Sequence, residues 1–164
     1  MNHKHKRKLL AFLTALASAQ AHAAQPELES HIGFNSGKSL VFHIASRHGG
    51  TGEQNLNESN PGISYRHGID NWNLFATGGV YENSFYKTSW YAGVGKTFFT
   101  AGPVAFTLVG GAVTGYVARI TPAIIPELSI HYKQVSLIVG YIPGVRYRET
   151  VTIPAFTFSL AANF

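Results

Sequence analysis

The sequence predicts an all-β fold, an eight-stranded antiparallel transmembrane β-barrel, and three observations carry that reading. First, the last nine residues alternate strictly. Phe156, Phe158, Leu160, Ala162 and Phe164 are apolar, and Thr157, Ser159, Ala161 and Asn163 between them are small or polar. A strand of that kind turns one face to lipid and the other to a wet lumen. Second, charged residues make up only 13% of the chain, well below the roughly 25% usual in soluble domains. No segment after the N-terminal region approaches the ~18 consecutive apolar residues of a spanning helix. A chain without such a helix can still cross a bilayer if its strands close on themselves. Third, the N-terminus reads as an export signal.

Lys4, Lys6, Arg7 and Lys8 form a basic start, Leu9 to Ala19 a short apolar core, and Ala21-His22-Ala23 a small-x-small cleavage site. This pattern predicts a signal peptide over 1–23, followed by a single barrel domain over 24–164. Removing those four cations from the 13 Lys and Arg leaves nine against eight acidic residues. The basic balance is therefore mostly an export feature and gives no argument for nucleic acid binding. With no cysteine, disulfides and thiolate metal sites are excluded. The eight histidines show no metal-ligand spacing, so neither a metal nor a cofactor is expected.

The strands are expected at 38–48, 60–67, 72–81, 88–99, 104–116, 123–132, 134–142 and 150–164. In 38–48, Leu40, Phe42 and Ile44 share a face assigned to lipid, and Val41, His43, Ala45 and Arg47 are assigned to the lumen. The second strand lies between the long stretch 49–59 and the turn 68–71. The third carries the pair Gly78-Gly79 and the fifth Gly110-Gly111, which suit the tight curvature of a small barrel. In 88–99, Trp90, Ala92, Val94 and Phe98 alternate with Ser89, Tyr91, Gly93, Gly95 and Thr97. Pro122 and Pro126 bracket the start of the sixth strand, and Pro143 follows the end of the seventh. Proline gives no N–H to a ladder, so these positions suggest a lateral gap through which a lipid tail could pass. The eighth strand ends on Phe164, an aromatic of the kind that the barrel assembly machinery reads.

Short turns alternate with long connections at 49–59, 82–87, 117–122 and 143–149. In outer-membrane barrels the long loops are extracellular, which places both termini in the periplasm. Polar residues then converge on the extracellular rim: His43, Ser46, Arg47 and His48, then Asn57, Glu58 and Asn60, then Asn83 and Ser84, then Arg119, Arg146, Arg148 and Glu149. A lumen-facing His43 is suited to act as a general base, with Ser84 or Ser46 as a hydroxyl it could activate.

At these residues the chain resembles the outer-membrane lipid A palmitoyltransferases. Tyr141-Ile-Pro143-Gly144 is similar to that family's Tyr-Ile-Pro-Gly, and Pro122-Ala-Ile-Ile-Pro126 to its Pro-Val-Leu-Leu-Pro. Tyr81-Glu-Asn83-Ser84 stands at its Asp-Ser pair, and Val41-Phe-His43 resembles the strand with its catalytic His. The resemblance implies an interior acyl pocket, lateral openings at the prolines, and acyl transfer from a phospholipid to lipid A without a cofactor. It implies His43 as base, Ser84 as hydroxyl or oxyanion partner, and Asn83 and Glu58 as orienting residues. Asn83 replaces the family's Asp. Arg47, Arg119, Arg146 and Arg148 would meet lipid A phosphates, a match for their forked donors.

A shorter resemblance, to outer-membrane lipid A deacylases, rests on Ser46-Arg-His48 with Glu58 beyond; the His-x-Ser order of those enzymes is reversed here. A non-catalytic barrel for stability or adhesion is the reading from a different class. In each case the expected setting is the bacterial outer membrane, as a monomer.

Overall fold

The computed structural model describes residues 37–49, 55–69, 73–116, 118–144, 146–147, 150–151 and 153–164. The segment read as a signal peptide, together with Arg148 and Glu149, lies outside the described residues.

Eight strands form the wall: β1 (Lys38–His48), β2 (Ser59–Gly68), β3 (Leu74–Glu82), β4 (Thr88–Ala101), β5 (Val104–Val113), β6 (Thr121–Tyr132), β7 (Val135–Ile142) and β10 (Ala155–Asn163). They close as an antiparallel barrel in the order β1-β10-β7-β6-β5-β4-β3-β2. Reciprocal backbone hydrogen bonds of 2.9 Å between Lys38 and Phe164 fasten one end of the seam. Two short strands, β8 (Arg146–Tyr147) and β9 (Thr150–Val151), form a separate two-stranded ribbon among the described residues.

The expected last strand, 150–164, is therefore shorter at its start. Pro154 has no N–H to extend the ladder, and Thr150 and Val151 belong to the small ribbon. The fifth strand ends at Val113 rather than at 116, because Gly115 turns away with φ of +83°. Side chains on β4 and in the next loop then capture the carbonyls of Thr114 and Gly115.

Alternation sorts the residues as the sequence predicts. Phe42, Ile63, Trp90, Ile124, Leu137 and Phe158 point outward on successive parts of the wall, with Trp90 63% exposed. Soluble monomers rarely show contiguous apolar patches beyond a few hundred Å². An apolar belt around a closed sheet is the surface of a transmembrane barrel.

Two strands carry a register slip, β1 and, between Thr97 and Phe99, β4; the one in β1 bears on the loop end. In β1 the register slips between His43 and Ala45 against both neighbours, a β-bulge that reverses which parity faces inward. Beyond it Ser46 is buried, His48 has only 12% of its side chain exposed, and Arg47 is 75% exposed. The expected facing is thus inverted over this segment, with Arg47 outside and Ser46 and His48 inside.

The lumen has two halves. Arg66 of β2 donates to Glu127 of β6 at 2.9 Å, and these strands lie four places apart in a ring of eight, on opposite walls. The guanidinium also stacks over Phe75, 5.0 Å from its centroid. Gly95 is required beneath, since a Cβ there would run into the Phe75 ring. Toward the chain termini the interior is tightly filled. His131 bonds Ser129 and Ser136, Ser136 accepts from Asn163, and Asn163 accepts from Ser39. Val41, Ile138 and Ala161 pack beside them. Toward the loops the inward positions mix small residues, such as Gly93, Gly111 and Ala123, with the packed rings of His43, Tyr81 and Tyr91.

Removing one partner of a buried ion pair costs about 3–5 kcal/mol, because the other charge is left uncompensated, whereas an apolar pair of similar volume is often tolerated. Arg66→Ala is expected to lose that much in urea unfolding from lipid vesicles, and the double variant R66M/E127L far less. Equal stability of parent and Arg66→Ala would refute this account of the lumen.

Candidate functional site at the loop end of the barrel

Ser84 follows β3 in the tight loop to β4, and the loop is built around Asn83. That residue is completely buried. Its side-chain oxygen accepts from the backbone N–H groups of Phe85 (2.8 Å) and Lys87 (3.1 Å). Its amide donates to Ser89 Oγ (3.0 Å) and to the carbonyl of Gly115 (2.8 Å). Asn suits this position because it carries both donors and acceptors and folds the following backbone as an Asx turn. An Asp could accept the two N–H bonds but could not donate the other two. Asn83 therefore holds the loop and, among the described residues, makes no bond to a histidine.

The first long loop arrives from the other side. Asn57 N–H donates to the carbonyl of Ser84 at 2.9 Å, and its side chain donates to Glu82 Oε1 at 2.7 Å. Asn60 donates to the carbonyls of Glu82 and Asn57. The Ser46 N–H donates to the carbonyl of Glu58 at 2.9 Å, fixing the loop to β1. Between these two clamps His48 Nε2 and Ser84 Oγ lie 2.8 Å apart. Glu58 Oε1 accepts the backbone N–H of His48 at 3.3 Å and stands 4.0 Å from its Nδ1. Arg47, projecting outside, donates to Glu58 Oε2 at 2.6 Å. The His48 backbone bond, with the Arg47 guanidinium beside it, holds the Glu58 carboxyl below its usual range.

His43 lies deeper and does not meet Ser84. Its ring nitrogens are each 3.1 Å from Ser159 Oγ and Tyr91 Oη. Its ring also packs against Tyr81 and Tyr91, and Tyr81 shares a 2.9 Å bond with Tyr116 from the next loop. Of the residues singled out in the sequence, Ser84, His48, Glu58 and Arg47 are brought together, while His43 forms a separate lumen cluster. Arg119 is exposed on the loop between β5 and β6. Arg146 lies in the β8–β9 ribbon.

The prolines stand beside an incomplete ladder. Pro122 and Pro126 lie within β6 and keep register with Ala112 and Leu108 of β5. On the other side, β6 pairs with β7 only from Glu127–Gly140 toward the terminal end. Among the described residues, Thr121 to Pro126 have no ladder partner on β7, and Pro143 follows that strand's last residue. This break lies beside the loop half of the lumen, where Ala123 and Ile125 are part-exposed. On the outer wall near the same end, Gly49, Tyr141, Pro154 and Phe156 line a shallow groove of about 420 Å³.

No family model and no curated protein matches this chain. Among solved structures it is similar to two designed proteins. One, from the de novo design of transmembrane β-barrels, has a TM-score of 0.56 at 11% identity and covers 79% of this chain and 97% of that one. The other is a solution NMR structure of a de novo designed barrel, with a TM-score of 0.55 at 12% identity, covering 80% and 98% respectively. The likeness shows the fold, that of a transmembrane β-barrel.

Two outcomes follow. Asn83→Ala removes all four of that residue's side-chain bonds, each buried partner left unpaired costing about 1–3 kcal/mol, so amide exchange at Phe85 and Lys87 should accelerate at least tenfold; unchanged exchange would refute the clamp. A carboxyl depressed by folding keeps its contacts above its unfolded pKa and loses them as pH falls through the lower, folded value. The Glu58 carboxyl should therefore titrate, by NMR, below the ~4.3 of a free glutamate.

Proposed function

We infer that this barrel resides in the bacterial outer membrane and moves an acyl chain from a phospholipid to lipid A. The observation that carries this reading is the break in the β6–β7 ladder beside the loop half of the lumen. In a bilayer, unpaired backbone along a barrel wall is costly unless it borders a cavity or protein. Prolines lower that cost by removing donors. A wall built with such a gap suits lateral passage of a lipid tail, and the small or apolar Gly111, Ala123 and Ile125 suit its hydrocarbon. The Arg66–Glu127 pair closes the space from below. The Ser84–His48–Glu58 cluster lies at the loop end, where the outer leaflet's headgroups would be.

The resemblance to the palmitoyltransferases implied His43 as base. The geometry supports His48 in that place, since it is the imidazole that reaches Ser84. The exposure of Arg47 on the outer wall next to Glu58 supports contact with a lipid phosphate.

A non-catalytic barrel is the second reading, favoured by the densely hydrogen-bonded terminal half of the lumen. Mass spectrometry of lipid A from cells producing the protein separates the readings. A species heavier by one acyl chain, absent with empty vector and with Ser84→Ala, is the expected result. Loss of an acyl chain would replace transfer by deacylation. An unchanged profile with the barrel folded in the membrane would leave the non-catalytic reading.

A further inference from the structure

We propose that Ser84 is a covalent nucleophile, activated by His48 and Glu58, so that acyl transfer proceeds through an acyl-serine on the protein. The proposal rests on the acyl-transfer reading for its substrate class, an ester of a membrane lipid, but the relay can be tested apart from it.

The sequence separates these three residues by 36 and ten positions, and three independent devices bring them together. The bulge in β1 turns His48 inward. Asn83 folds the loop that presents Ser84, and the Ser46 N–H tethers the backbone at Glu58. Ser84 Oγ stands 2.8 Å from His48 Nε2, within reach for proton transfer. When the Ser84 hydroxyl donates to Nε2, the imidazole proton must sit on Nδ1. That nitrogen is buried without a hydrogen-bond partner, and the carboxylate 4.0 Å away is Glu58. A neutral imidazole leaves this gap slack, whereas an imidazolium formed during attack would draw the carboxylate closer. A hydroxyl on a base, with a third group placed to orient that base, is the arrangement of an activated nucleophile. A second serine–histidine contact, Ser159 with His43, lacks it: the other ring nitrogen of His43 meets Tyr91 Oη.

The steps balance without a further reactant. Ser84 Oγ attacks the ester carbonyl and its proton passes to His48 Nε2. The tetrahedral intermediate collapses, the lipid alkoxide departs with that proton, and the acyl group remains on Ser84. A hydroxyl of the acceptor lipid then gives its proton to His48, attacks the acyl-serine and displaces Ser84 Oγ, which recovers the proton. With water as acceptor the same steps release a free fatty acid.

The test is phosphonylation of the folded, full-length barrel in detergent by a fluorophosphonate, with the modified residue located by peptide mass spectrometry. The expected result is a single adduct at Ser84, absent in Ser84→Ala. His48→Gln keeps a hydrogen-bonding group but no base, and should slow labelling by roughly 10²–10⁴-fold. Glu58→Gln should slow it less and Glu58→Asp should restore part of the rate, while Ser39→Ala at the far end should match the parent. Each variant is first shown to be folded by heat-modifiable electrophoretic mobility. If His48→Gln does not fold, the parent's labelling rate, which should rise as the imidazole loses its proton, replaces it. No adduct at Ser84 in the folded parent, or equal labelling of His48→Gln, overturns the proposal. An adduct at Ser84 with lipid A unchanged would uphold the relay and remove only the lipid A acceptor.

Discussion

In hydrocarbon a backbone N–H or C=O has no water to bond, so each must find a partner within the protein. Most other features of this molecule follow from that constraint. It requires a sheet with no free edge, met by eight strands whose first and last join between Lys38 and Phe164. Closure of so few strands leaves an interior just wide enough for side chains. The inward half of each strand must therefore fill the space, and does so differently at the two ends. Where the constraint is relaxed, between β6 and β7, the sequence has placed residues that lack a donor. The gap is thus part of the sequence's own accounting of hydrogen bonds.

Much of this was legible because side-chain direction in a strand has a period of two. Phe156 to Phe164 reads the same in sequence and in structure: the aromatics lie outside, and Ser159, Ala161 and Asn163 inside. Strand positions were readable for the same reason, to within a few residues. The prolines at 122, 126 and 143 pointed to the incomplete ladder through a local chemical property, the missing N–H. Alternation cannot reveal where it fails, and β1 shows this. Val41 and His43 obey the period, but the bulge before Ala45 shifts the remainder. Arg47 therefore leaves the lumen and His48 enters it. No single residue in Ile44-Ala45-Ser46 announces that change.

The site was only half legible for a related reason. Ser84, Glu58 and His48 each stood out as reactive types near one rim. Which histidine meets which serine depends on the bulge and on the Asn83 turn, both set by contacts distant in sequence. Asn83 was read as a substitute for a catalytic carboxylate. Its four side-chain bonds show instead why an amide is required there: two acceptors and two donors are used at once. The Arg66–Glu127 pair had no sequence signal, because the two residues are 61 positions apart and join only after closure.

The bulge in β1 has a consequence for how this barrel tolerates change. Strands are commonly treated as forgiving toward substitution, since a residue of similar size keeps its face. Here the composition of one end depends on a count as well as on identity. His43 and His48 are an odd number of residues apart, yet both turn inward, and only the supernumerary residue between them permits it. Loss of one residue from that segment would remove the extra residue and leave both histidines inward on a regular strand, whereas loss of the bulge with every residue kept would rotate His48 toward lipid and Arg47 toward the lumen. A shortening by one residue is therefore absorbed by straightening the strand, while regular pairing of all the residues now present is the change this end of the molecule is least able to absorb.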